Sequence, residues 1–199
     1  MEVEAPRIVQ VGDPVLRSAT TAVDIAAIRT SAMQDLVAGM VAAMRAAPGI
    51  GLAAPQVGIS WRMFVMEDRP EMTAELPKEV LTEREREPAP LRVLINPVVR
   101  PVGSQTRDFF EGCLSIKGYT AIVTRHHEVA VSYLDESGQP QEWIARGWPA
   151  RVVQHEYDHL EAVLYTDKMI RKSFMSNDEF KARYAARPIA EVKQELGLS

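Results

Sequence analysis

The segment His155-Glu156-Tyr157-Asp158-His159 sets two imidazoles four residues apart, with a carboxylate directly after the first. On an α-helix, positions four apart stack one turn above each other. Both rings can then ligate a single divalent ion while the intervening glutamate reaches a water on that ion. This is the chemistry of metal-assisted hydrolysis. Catalytic metal sites usually draw three protein ligands and keep one position open, so two histidines need a partner. Cys113, the single cysteine of the chain, is the candidate, in Glu111-Gly112-Cys113-Leu114-Ser115. Taken alone, an isolated cysteine is more often a small buried hydrophobe than a ligand. His126 and His127 are adjacent and would point to opposite faces of a strand, so they read as non-ligands.

The histidines need a helix to align them. Trp148-Pro149 reads as its start, with proline where a missing N–H costs nothing, and Val152, Val153, Leu160, Val163 and Leu164 follow at helical spacing. Val152, His155, Glu156, His159 and Val163 then share one stripe that is otherwise core. A bare carboxylate there would be costly, and a metal with a polarised water would supply its missing partners.

Other elements follow from pattern. Met33, Leu36, Val37, Met40, Val41 and Met44 repeat at helical spacing until Pro48-Gly49, which predicts a helix over 25–46. Strand-like runs occupy 62–66, 93–99, 119–124 and 128–134. Asp135-Glu136-Ser137-Gly138 turns the last of these into 141–145. Residues 67–90, rich in Glu, Arg and Pro, read as an exposed insertion loop with one helical turn. Ser176-Asn177-Asp178-Glu179 resembles a capping box opening a C-terminal helical segment over 176–199, interrupted at Pro188. The expected architecture is a single α+β domain over 1–199: short antiparallel sheets packed around a central metal-binding helix, with an N-terminal and a C-terminal helix.

Composition excludes several function classes. With 199 residues, 46% hydrophobic and 25% charged, the chain can bury a substantial core. A net charge of −4 gives no footprint for broad nucleic-acid or anionic-membrane binding, and no apolar run approaches a membrane span. One cysteine and a start without signal- or transit-peptide character point to a cytoplasmic setting, the bacterial cytosol before an organellar matrix.

Three separated blocks, in matching order, resemble the peptide deformylases: Gly49-Ile50-Gly51-Leu52-Ala53-Ala54-Pro55-Gln56, Glu111-Gly112-Cys113-Leu114-Ser115 and Gln154-His155-Glu156-Tyr157-Asp158-His159-Leu160. Gly147-Trp148-Pro149-Ala150-Arg151, the insertion before Leu91, and Asp167-Lys168-Met169 look most like the branch with organellar and some bacterial members. The resemblance implies hydrolysis of the formyl group from the N-terminal formylmethionine of nascent polypeptides, releasing formate.

It also implies roles for residues. Cys113, His155 and His159 would hold one divalent ion, Fe²⁺ first and Zn²⁺, Ni²⁺ or Co²⁺ as alternatives; ligand chemistry alone does not decide among them. Glu156 would take the proton of the activated water and pass it to the leaving amine, while the Leu114 N–H and the Gln56 amide stabilise the oxyanion. Ile50, Gly51, Gly112, Trp148 and Val152 would bind substrate, and Glu111 would pair with Arg125 to brace the cysteine loop. Asp158 is expected to orient a ligand histidine or cap the local backbone. Formylmethionyl nascent peptides are the implied partners, with transient ribosome association and no specific nucleic acid or membrane.

The chain departs from the family pattern at Lys117, Thr124 and Ala162, where the family often has proline, proline and glycine. None removes a chemical group, and Ala162 is expected to affect only packing behind the site. Two other readings are a general metallopeptidase with a His-Glu-x-x-His helix, whose third ligand usually lies downstream, and a noncatalytic protein with a structural metal.

Overall fold

The computed structural model of the protein describes residues 5–74 and 76–198. Helix α1 spans Ser31–Ala46, and the hydroxyl of Thr30 caps it by accepting from the Met33 N–H at 3.4 Å. Its start is later than the apolar period implies. Asp24 caps a separate short turn, Ile25–Ala27, so two capping residues divide the predicted 25–46 helix. Met33, Val37, Met40 and Met44 still form its buried face.

The strands are β1 (Gly51–Ala53), β2 (Met63–Asp68), β3 (Ala89–Pro101), β4 (Thr106–Cys113), β5 (Ile116–His126), β6 (Glu128–Leu134), β7 (Pro140–Arg146) and β8 (Met175–Ser176). They form two antiparallel sheets, in the orders β1-β2-β3-β6-β7 and β4-β5-β8. This is the expected fold class, α+β with antiparallel sheets. Strand β3 outruns the predicted 93–99 because it passes through an irregularity at Asn96-Pro97. There Asn96 has φ 50°, and its side-chain amide bonds both the N–H and the carbonyl of Val23 at 2.8 Å.

Helix α3, Trp148–Leu160, lies between the sheets and touches β1, β2, β3, β5 and β7. Its apolar side, with Ala150, Val152, Val153 and Leu160, joins Phe64, Leu94, Val129 and Val131 in one core cluster. Helix α1 covers the other face of β1–β3. Packing its apolar side on the first sheet leaves its polar stripe facing the cysteine strand, where His159 meets Cys113. Helix α4 (Tyr165–Lys168) follows.

The insertion differs most from expectation. Helix α2, Lys78–Arg84, occupies two turns of it, and Val80 is buried. Arg86 forms a two-pronged ion pair with Asp68, at 2.7 and 3.0 Å, with both side chains under a tenth exposed. A charge-rich sequence reads as solvated only when its charges lack partners within the fold. Further on, the Ser176 hydroxyl caps α5 (Asn177–Arg183) by accepting from the Glu179 N–H, and α6 (Ile189–Glu195) begins directly after Pro188.

Ala162 lies beyond the end of α3 with φ 58°, a left-handed conformation that costs an alanine about 1 kcal/mol or more. The expected effect on packing is therefore corrected: the strain is in the backbone, and it accounts for glycine in the family pattern. Ala162→Gly should raise the unfolding free energy by about 0.5–1 kcal/mol after glycine's unfolded-state entropy is counted. A denaturation midpoint at or below wild type would contradict the assigned backbone.

Candidate metal centre

Gly147, at φ 62°, turns the chain out of β7 and into α3, with Pro149 in the first turn. His155 and His159 then fall one turn apart, their ring centroids separated by 5.2 Å. Cys113 ends β4 and meets them from the second sheet. The possible ligand atoms of Cys113, His155 and His159 all lie within 4.8 Å of one another, and Cys113 Sγ is 3.3 Å from His159 Nε2. A soft thiolate with two imidazoles suits zinc, iron or a similar borderline ion.

Electrostatics support a cation at this point. Burial disfavours charge on His155, yet the neighbouring Cys113 and Glu111 raise its proton affinity well above the ordinary histidine value. His159 moves the opposite way: burial first, then the positive charges of His155 and Arg125, keep it neutral and ready to ligate. Glu156 is buried with its Oε2 lacking a hydrogen-bond partner among the described residues, and burial pushes its pKa up to about 7. An ion-bound water is the partner that would satisfy this oxygen.

Glu111 fixes the ligands. Its Oε2 accepts from His155 Nδ1 and Arg125 Nη2, each at 2.9 Å. Its Oε1 accepts from Arg125 Nε at 2.9 Å and Arg151 Nη1 at 2.6 Å. Burial alone would raise this carboxyl's pKa, but Arg125 and His155 outweigh it and hold the group well below the usual range. With Nδ1 committed, His155 would offer Nε2 to an ion held here. The Asp158 carboxylate makes no hydrogen bond to a histidine among the described residues. It pairs instead with Arg125 and with Lys168, so the expected orienting role is corrected.

A cleft of about 350 Å³ opens in front of these groups. Gln56, Leu114, Cys113, His155 and Glu156 line it, as do Ile50, Gly51, Gly112, Trp148, Val152 and Glu111. Among the sequence-derived site residues, His159, Arg125 and Asp158 are absent from its wall, and all three are buried. Gln56 accepts the Ala53 N–H at 2.8 Å through Oε1, which aims its NH₂ at Cys113 Sγ (3.4 Å) and Ser115 Oγ (3.3 Å). The Leu114 carbonyl is held by Gln10 Nε2 at 3.0 Å. Gly51 permits the closest packing in the site, since a Cβ there would sit 2.3 Å from Glu156 Oε1.

The cleft also includes residues the sequence reading missed: Met72 and Arg86 from the insertion, Phe110, Arg151 and Asn177. Arg151 had a legible signal, a charge four residues before His155 on a core stripe. Phe110 adjoins the cysteine block, whereas Met72, Arg86 and Asn177 come from distant segments and had none.

A helix with two histidines and a glutamate, a thiolate from a facing strand and an open cleft define the class of metal-dependent hydrolases. The family model described as Polypeptide deformylase matches residues 5–174. The chloroplastic peptide deformylase 1A of tomato (Solanum lycopersicum) is 43% identical over 91% of this chain and 65% of its own length. Peptide deformylase 1 of Streptomyces coelicolor is 46% identical over 85% and 76%. A Met-Ala-Ser-bound class I type b peptide deformylase from Acinetobacter baumannii superposes with a TM-score of 0.74 at 29% identity, covering 85% of this chain and all of that one. The chain belongs to the polypeptide deformylase family, and the reaction implied by its sequence is the one for which that family is named.

Two outcomes are expected. Cys113→Ala should lower bound metal measured by elemental analysis well below one ion per chain, whereas unchanged stoichiometry would rule out thiolate ligation. Gly51→Ala should retain metal yet lose about a hundredfold in turnover of a formyl-Met peptide, because its Cβ displaces Glu156. Wild-type turnover would contradict the close approach.

Proposed function

We propose that this cleft hydrolyses the formyl amide of formylmethionyl nascent peptides, with Cys113, His155 and His159 holding one divalent ion and Glu156 carrying the proton. The observation that carries the reading is the Glu156 carboxylate, which is buried beside three potential ligands with one oxygen unpartnered. When bound, the ion supplies Lewis acidity and lowers the pKa of a coordinated water. Glu156, with a pKa near 7, can accept that water's proton and deliver it to the leaving amine at neutral pH. Gln56 Nε2 and the Leu114 N–H are the donors for the formyl oxygen, and one such donor is typically worth about a hundredfold in rate.

Peptide binding follows from sheet edges. Strands β1 and β4 each stand at the end of their sheet, and Gly51 and Gly112 lie on those edges in the cleft wall, with Ile50 directly before β1. An extended peptide between them can pair as an added strand. Trp148 and Val152 supply the apolar wall for methionine. The Acinetobacter baumannii enzyme's bound Met-Ala-Ser begins with methionine, as the product released here would.

Fe²⁺ is the proposed ion on family resemblance, with Zn²⁺, Ni²⁺ or Co²⁺ as alternatives. The proposed partners are nascent chains, met in transient ribosome association. The proposed compartment is the bacterial cytosol, supported by the bacterial relatives; the chloroplastic relative marks the organellar alternative. No helix among the described residues is long and apolar enough to cross a membrane.

Anaerobic assay of the iron-loaded protein on formyl-Met-Ala and on casein tests the reading; cleavage of casein alone would overturn it in favour of a general peptidase. Glu156→Ala should keep its metal and lose deformylation by about a hundredfold or more. Near-native turnover in that variant would refute the proton-carrying role.

A further inference from the structure

The insertion between β2 and β3 reaches the cleft at two points, Met72 and Arg86. Arg86 is held as a fixed fork. Its Nε and Nη2 bond the two oxygens of Asp68, and Nη2 also reaches the Met72 carbonyl at 3.4 Å. Its guanidinium lies over the Trp148 ring, 5.2 Å from the centroid, with Arg84 at the same distance from that ring. Nη1 makes no hydrogen bond among the described residues, although both neighbouring nitrogens are committed. A guanidinium oriented by two bonds and a ring, with one NH₂ left over in a cleft wall, is a preorganised donor.

The chemistry of its acceptor follows from charge. Asp68 already balances Arg86 at hydrogen-bond distance, so the pair presents a polarised N–H with little net charge. Such a donor suits a main-chain carbonyl oxygen. Trp148, on which Arg86 rests, also lines the cleft together with Val152. The donor therefore sits beside the wall assigned to methionine.

We infer that Arg86 is a positioning residue for substrate length: its Nη1 donates to a main-chain carbonyl of the peptide downstream of the formylated methionine. This rests on the deformylase reading above. It gives the insertion a binding function. It also makes recognition of the downstream chain independent of side-chain identity, as an enzyme acting on many different nascent chains requires. Met72 closes the same wall through its backbone contact with Arg86.

The test compares kcat/KM for a tripeptide, formyl-Met-Ala-Ser, with that for formyl-Met-amide, which has no downstream residue. In Arg86→Gln the tripeptide-to-amide ratio should fall about tenfold, mainly through a higher KM for the tripeptide. The affinity for the product Met-Ala-Ser, measured by calorimetry, should fall by the same factor. Arg86→Lys keeps the charge but not the fork and serves as a second variant, in which the ratio should also fall. If both substrates lose activity in parallel, or the ratio stays at the wild-type value in both variants, Arg86 merely fastens the insertion and the inference is overturned. If the metal-loaded wild type cleaves neither substrate, the deformylase reading fails and the inference fails with it.

Discussion

The site depends on one buried carboxylate. Glu111 is 6% exposed and accepts from Arg125, Arg151 and His155, so a single charge ties β4, β5 and α3 together at the point where the ligands meet. Asp158 extends the cluster from α3 back to Arg125. Leaving such a group without one of its partners typically costs about 3–5 kcal/mol. Each member is therefore tied to the others, and the cysteine strand cannot shift relative to the histidine helix without opening the network.

This constraint explains how a candidate metal site can be built between a strand of one sheet and a helix. Cys113 and His159 are 46 residues apart in the chain, and their sulfur and nitrogen come within 3.3 Å. A thiolate and imidazoles so close would repack freely if held only by apolar contacts, which are non-directional. Hydrogen bonds to Glu111 and from Gln56 set the ring and thiolate orientations instead. Gly51 completes the arrangement from the other side, since its missing Cβ leaves room for the base.

The same logic separates the two walls of the cleft. The inner wall uses short elements whose residues are consecutive in sequence: Ile50-Gly51, Gly112-Cys113-Leu114 and one face of α3. The outer wall is gathered from residues far apart, with Met72 and Arg86 from the insertion and Asn177 from the start of α5. Arg86 is held in this wall by Asp68, eighteen positions earlier, and by the Trp148 ring.

Much of the fold was legible where a local period governs burial. The Met33 to Met44 stripe, the hairpin of β6 and β7, and α3 with its histidines at one-turn spacing all follow from residues that face one core. The chemistry was legible for the same reason, because helical spacing alone brings His155, Glu156 and His159 together. Strand β4 was not, since Asp108 and Glu111 break its apolar pattern, and their charges are answered by Thr124, Lys193, Arg125 and Arg151 in distant elements. The insertion was misjudged on the same ground, as was the role of Asp158. The sequence by itself determined which groups could ligate, abstract a proton and span a helix turn, because those depend on residue type and local periodicity. Only the tertiary structure decided which charges are buried, which partners neutralise them and which distant segments wall the cleft, because those depend on contacts that no local period encodes.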